Sequence, residues 1–240
     1  MRSGRCRFRL VESSEWGSAR SRELLVYLMM HPEGRTKEQT GLAFWPDAST
    51  NQLRNSFHVT LHRLRKALGS GDWVTLASDR YRIDETAIEE FDVLEFEREL
   101  AQARDALKRQ EEGSTARLEQ ALSRFRGDFL DGEPAGDWHL EHRERLQMQY
   151  VSALMQLGER HCFEERHAKA ADAYRRVLAR DELHEGALFA LMRSHAALGE
   201  RSQALRAYRR YAEKLKLELA TEPGRDVARY FGQLQEGAQV

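Results

Sequence analysis

Residues 50–68 read TNQLRNSFHVTLHRLRKAL, and the spacing of their apolar side chains decides the fold. Leu53, Phe57, Leu61, Leu64 and Leu68 recur every three or four residues, so a helix buries them as one stripe. At about 100° per residue the opposite side carries Asn51, Asn55, His58, Val59, His62 and Lys66. No acid lies between Asp47 and Asp72, in a chain with 38 Lys and Arg against 39 Asp and Glu. Asn can offer adenine a paired donor and acceptor, His can reach guanine edges or phosphates, and Val59 can touch a thymine methyl. The pattern predicts a major-groove recognition helix. It equally fits an ordinary amphipathic helix with a basic solvated face, and the flanking sequence separates the two.

Upstream, residues 5–12 (RCRFRLVE) alternate as a half-buried strand does, with Cys6, Phe8 and Leu10 on one side. Ser21 then precedes RELLVYLMMH, a short amphipathic helix stopped at His31, Pro32 and Gly34. Thr36 with Gln39 forms a capping-box pair that starts a second helix, ended near Phe44 by Trp45 and Pro46. Downstream, WVTLA and YRID are β-rich runs separated by Ser78, Asp79 and Arg80, which read as a hairpin. Three helices and a hairpin, in that order, make a winged helix-turn-helix. In that frame Asn51, Asn55, His58, Val59 and His62 face bases. Arg54, Arg63, Arg65 and Lys66 flank them, Arg80 and Arg82 sit on the wing, and Thr36 and Lys37 open the supporting helix, whose amides suit phosphate.

The rest of the chain is helical and repeats itself. KAADAYRRVLA at 169–179 aligns with QALRAYRRYAE at 203–213, an offset of 34 that Ala153 and Ala187, Leu154 and Leu188, Leu157 and Leu191, and His161 and His195 share. That is the tetratricopeptide period, with small Ala170, Ala173, Ala204 and Ala207 allowing close helix approach and Tyr174 and Tyr208 filling the gaps. The fold class is therefore mainly α. A winged helix-turn-helix with a small β-sheet and wing hairpin occupies residues 1–84, and an all-α tetratricopeptide-like domain occupies residues 85–240.

Charge follows the same division. Residues 1–84 carry 14 Lys and Arg against 9 Asp and Glu, whereas 85–240 carry 24 against 30. A basic first half with an acidic second half suits a DNA reader joined to a protein-contacting module. No apolar run approaches the roughly 20 residues that span a bilayer, and no signal-peptide core opens the chain, so a cytoplasmic, nucleoid-associated protein is expected. Cys6 and Cys162 are too few to suggest a disulfide framework.

Chemistry-bearing clusters are weak. His161, Cys162, Glu164, Glu165 and His167 match no metal-ligand spacing, and His161 is a repeat position; His139 and His142 likewise lack further ligands. No phosphate-binding loop, dinucleotide turn or nucleophile elbow occurs, so neither a catalytic site nor a cofactor is expected.

The chain resembles the Streptomyces antibiotic regulatory proteins. The resemblance rests on Arg22, Glu23, Leu24, Leu25, Tyr27 and Leu28, on Phe44-Trp45-Pro46-Asp47, on Leu61, Leu64-Arg65-Lys66 and Leu68-Gly69, and on Tyr81-Arg82. The second half is similar to their bacterial transcriptional activator domain at Phe91-Asp92-Val93 with Phe96, at 125–130 (FRGDFL), at Trp138, Arg143 and Leu146, and at 217–219 with Glu222-Pro223. The resemblance implies a sequence-specific activator that binds promoter direct repeats as a homodimer and contacts RNA polymerase. Three departures stand out. Arg80 occupies a wing position where Gly is common, Glu182 replaces a Pro, and Ala220 replaces a Gly near a helix end, which puts a left-handed cap there in doubt. The family's amino-terminal sheet is also fuller than residues 5–12 can make, as expected of a trimmed sheet or of a start inside a longer protein. Two alternatives stay open: a protein-interaction scaffold built on the helical repeats, and an effector fragment of a longer signal-sensing regulator.

Overall fold

A computed structural model describes residues 16, 18–84, 86, 91–131 and 137–237. The strand predicted at 5–12 lies outside the described residues. The order of elements is α1 (Ala19–Met29), α2 (Lys37–Phe44), α3 (Thr50–Leu68), β1 (Val74–Ala77), β2 (Arg80–Ile83), α4 (Asp92–Lys108), α5 (Ser114–Ser123), α6 (Trp138–Phe163), α7 (His167–Leu178), α8 (Glu185–Ala197), α9 (Arg201–Leu219) and α10 (Arg225–Glu236). Packing divides the chain into two compact units, Met1–Arg98 with Arg124–Leu146, and Glu99–Ser123 with Gln147–Val240.

In the first unit, α1 and α2 both pack on α3. The cap of α1 lies three residues before the sequence-predicted one. Ser18 is the N-cap and its side chain accepts from the Ser21 N–H, while Ser21 is fully buried inside the first turn. Both serines satisfy the capping rule, and burial decides between them. The Thr36 capping box forms as predicted, with the Thr36 N–H donating to Gln39 Oε1 at 3.0 Å and the Gln39 N–H to Thr36 Oγ1 at 3.2 Å. β1 and β2 pair antiparallel, Val74 opposite Ile83, and Arg35 bridges to Tyr81 through two backbone hydrogen bonds. The hairpin turn is made by Ser78 and Asp79, both at positive φ (50° and 60°), as a two-residue hairpin turn requires. Arg80 is thus the first residue of β2 rather than part of the turn, so its replacement of Gly costs no backbone strain.

Residues 124–146 complete this unit. Trp138 lies edge-on to Tyr27 of α1 (5.2 Å between centroids), stacks on Phe44 of α2 (5.8 Å) and meets Phe129 edge-on (6.1 Å). Arg143 donates through Nε to the Phe129 carbonyl at 2.9 Å and through Nη2 to that of Leu130 at 2.8 Å. Aromatic contact therefore fastens the start of α6 to α1 and α2, while the charged double hydrogen bond of Arg143 ties α6 to the segment at 129–130 that precedes it.

The second unit is built from antiparallel helix pairs, α7 on α8 and α8 on α9, with α10 against α9. Its core holds Leu188, Met192, Ala204, Tyr211, Leu215, Val227, Tyr230 and Leu234, with a neighbouring cluster of Ala170, Ala171, Tyr174 and Leu191. The repeat's small residues have a visible purpose at Gly158. A Cβ there would sit 2.5 Å from the Tyr174 ring, which is only 2% exposed. The repeat histidines are internal: His161 Nε2 is 3.1 Å from Glu119 Oε1, and His195 Nδ1 is 2.7 Å from Glu200 Oε2. Ala220 keeps the left-handed cap that its side chain disfavours (φ 52°, ψ 31°), its N–H donating to the Lys216 carbonyl. Glu182, where the resemblance leads one to expect Pro, pairs with Lys214.

Candidate nucleic-acid interface

α3 is presented from below and from one end. Below it, Phe57, Leu61, Leu64 and Leu68 are buried, and Phe57 meets Tyr81 of β2 at 4.8 Å between ring centroids. That contact ties the wing to the helix it accompanies. At its amino-terminal end, Gln52 Oε1 accepts from both the Ser49 N–H (3.0 Å) and the Ser49 hydroxyl (2.9 Å). The predicted stripe is one residue shorter than the sequence pattern, because Leu53 is only half-buried and turns toward α2. A Cβ on Gly41 of α2 would fall 2.2 Å from Leu53 Cδ1, so the absent side chain at Gly41 sets how closely the two helices approach.

With that stripe buried, Asn51, Asn55, His58, Val59 and His62 are all exposed on one face of α3, Val59 at 50%. The face lies in a helix with no acid in its first turn and Arg65 and Lys66 in its last. A helix of this kind offers amide, imidazole and small apolar groups to a groove of about its own diameter, and places no carboxylate against phosphate.

The basic residues fall into two groups. Arg54, Arg63, Lys66 and Arg82 are exposed, and Lys37 and Thr36 are half-exposed at the start of α2. The five cations among these form no ion pair with any described residue. Arg65 and Arg80 are instead engaged with the protein. Arg65 Nη2 donates to the Val74 carbonyl at 2.9 Å, and Arg80 Nη1 donates to the Gly34 carbonyl at 3.1 Å. Both are half-buried. These two hold the wing against α3 and against the α1–α2 turn. Glu38, in the first turn of α2, has its carboxyl held below the usual range, chiefly by a backbone hydrogen bond at the helix start.

Two exposed apolar side chains beside this surface, Leu42 of α2 (69%) and Leu76 of β1 (53%), carried no sequence signal that separates them from core leucines. Among the described residues no helix is long and apolar enough to cross a membrane.

Residues 91–235 match the profile of the bacterial transcriptional activator domain. No curated protein sequence matches the chain. Among solved structures, Mycobacterium tuberculosis EmbR in complex with a low-affinity phosphopeptide superposes with a TM-score of 0.75 at 20% identity. The match covers 93% of this chain and 60% of the EmbR chain, so this chain spans about three fifths of that length. At this identity the likeness is one of fold, and it covers wing hairpin and helical repeats alike. The tetratricopeptide-containing C-terminal domain of a putative Plasmodium falciparum FK506-binding protein gives a TM-score of 0.42 at 16% identity, over 61% of this chain and 90% of that domain.

Proposed function

The chain belongs to the bacterial transcriptional activator domain family, whose members are transcriptional regulators, and from that premise we propose that it is a sequence-specific DNA-binding activator. The observation that carries the reading is the exposed, acid-free face of α3, with Asn51, Asn55, His58, Val59 and His62 side by side above a largely apolar underside. Asn51 and Asn55 suit adenine edges, His58 and His62 suit guanine acceptors or phosphate, and Val59 suits a thymine methyl. Arg54, Arg63, Lys66, Arg82 and the Thr36–Lys37 end of α2 fix register on the backbone, while Arg65 and Arg80 act by positioning the wing.

In this reading residues 1–84 read the site in the cytoplasm, at the nucleoid. Residues 85–240 pair protomers on promoter direct repeats and engage RNA polymerase. Neither a cofactor nor a metal enters the proposal.

Selection of bound sequences from a random duplex pool at about 150 mM salt, with the full chain, tests it. A tandemly repeated half-site should be enriched. Substituting Asn55 or His58 by Ala should change which bases are selected, at about 1–3 kcal/mol per contacted base pair. Absence of any enriched sequence, with DNA binding that ignores salt, would leave the chain a protein scaffold.

A further inference from the structure

The two tetratricopeptide-like repeats solve the same packing problem with different surfaces. At the offset of 34, Asp172, Arg175 and Arg176 of α7 correspond to Arg206, Arg209 and Arg210 of α9. In α7 the charges are internally settled. Arg175 Nη1 lies 3.8 Å from Asp172, and Arg176 donates to the Tyr150 hydroxyl at 2.9 Å with its guanidinium over that ring. In α9 the acid has become Arg206. None of Arg206, Arg209 and Arg210 forms an ion pair or side-chain hydrogen bond with a described residue, and all three are exposed. The core does not require this, since Ala204 and Tyr211 are buried in the cluster that Leu188 and Met192 form without any of these cations.

Two further residues share the face. Arg206, Arg210, Glu213 and Leu217 stand at i, i+4, i+7 and i+11, a single line along α9 about 16 Å long. Leu217 is 79% exposed, the most exposed large apolar side chain among the described residues. A leucine held out in water at the end of a row of arginines is not the surface that a sugar-phosphate backbone selects. Arginines beside an apolar anchor are the composition of protein interfaces.

We propose that this face of α9 is a docking surface for an acidic protein segment that carries an apolar recess. Its carboxylates meet Arg206 and Arg210 and its recess receives Leu217, while Glu213 between them fixes the direction in which the segment lies. The inference rests on the activator reading and names the chemistry of the partner: an acidic surface of the transcription machinery.

The test uses the full chain, fluorescently labelled and titrated with purified bacterial RNA polymerase holoenzyme, with affinity for the selected duplex measured in parallel. Arg206→Asp combined with Arg210→Ser, and separately Leu217→Ser, alter only exposed side chains, so thermal melting should be unchanged. Each should weaken holoenzyme binding about tenfold or more and leave duplex affinity within about twofold. Unchanged holoenzyme binding in both variants overturns the proposal and leaves the activator reading standing. Lost duplex affinity with intact holoenzyme binding makes the face a DNA contact, and lost self-association alone makes its occupant a second copy; either result overturns it. A wild-type chain that does not bind holoenzyme removes the activator reading and the docking surface together.

Discussion

Arg65 and Lys66 are adjacent, both basic and both in the last turn of the proposed reading helix, yet their geometry assigns them opposite roles. Lys66 is exposed and unpaired, whereas the Arg65 guanidinium donates to the Val74 carbonyl at 2.9 Å. Arg80 is engaged in the same way with Gly34. Five basic side chains on this surface therefore stay available for phosphate: Lys37, Arg54, Arg63, Lys66 and Arg82. At about 0.9 counterions released per contact, log affinity should fall against log salt with a slope of about −4.5 per protomer, not the roughly −6.3 that all seven would give. Between 50 and 200 mM salt that is a loss of about 500-fold rather than about 6,000-fold. Lys66→Gln should flatten the slope by about 0.9 and leave melting alone. Arg65→Gln should leave the slope nearly unchanged while removing about 1–2 kcal/mol of stability, because the Val74 carbonyl loses a charged donor. Fluorescence anisotropy over a potassium chloride series, alongside urea denaturation, measures both. Equal flattening by the two variants with no loss of stability from Arg65→Gln would show that Arg65 leaves the wing for the phosphate backbone, and the division of roles would be refuted.

The remaining predictions concern the scaffold. Gly158→Ala places a methyl 2.5 Å from the buried Tyr174 ring and should cost about 1–3 kcal/mol in urea denaturation, partly recovered in the double variant with Tyr174→Leu; an unchanged midpoint would mean the helices separate freely. Ala220→Gly relieves a left-handed alanine and should stabilise the chain by about 0.5–1 kcal/mol, read as a raised melting temperature. His31, His142 and His161 each have a pKa pushed below the ordinary 6.5, first by burial. The unfolded chain therefore takes up protons near 6.5 before the folded chain does. Stability should be full above about pH 7 and should fall as the pH drops through 6.5 toward the lowered folded values. The His31→Gln/His142→Gln variant should show a smaller drop in melting temperature between pH 7.5 and 5.5 than the wild type, and an equal drop would show that this pair does not carry the dependence.

Much of the helix-turn-helix was legible because its determinants are local. The period of Phe57, Leu61, Leu64 and Leu68 fixes both the buried side of α3 and, by exclusion, the exposed one, and the Thr36 capping box needs only three residues to be recognised. The 34-residue repeat is legible for the same reason, since each unit restates the packing of its neighbour. What escaped was set by partners distant in sequence. Nothing near Arg80 shows that its guanidinium reaches a carbonyl 46 residues earlier, so charge alone placed it among phosphate contacts. That Tyr27 and Phe44 pack against Trp138 appears only once α6 is in place.

Ala220 shows the balance between local preference and tertiary packing most directly. Replacing a Gly with Ala argues against a left-handed cap, by about 1–2 kcal/mol. The chain adopts the cap anyway, because α10 must return along α9 to stack Phe231 on Tyr208 at 4.0 Å and to bury Val227, Tyr230 and Leu234. Fully burying side chains of that size contributes about 1.5–3 kcal/mol each, more than the strain of one alanine. The exposed residues of α9 lie outside this balance: Arg206, Arg210 and Leu217 add nothing to the core that decides the cap.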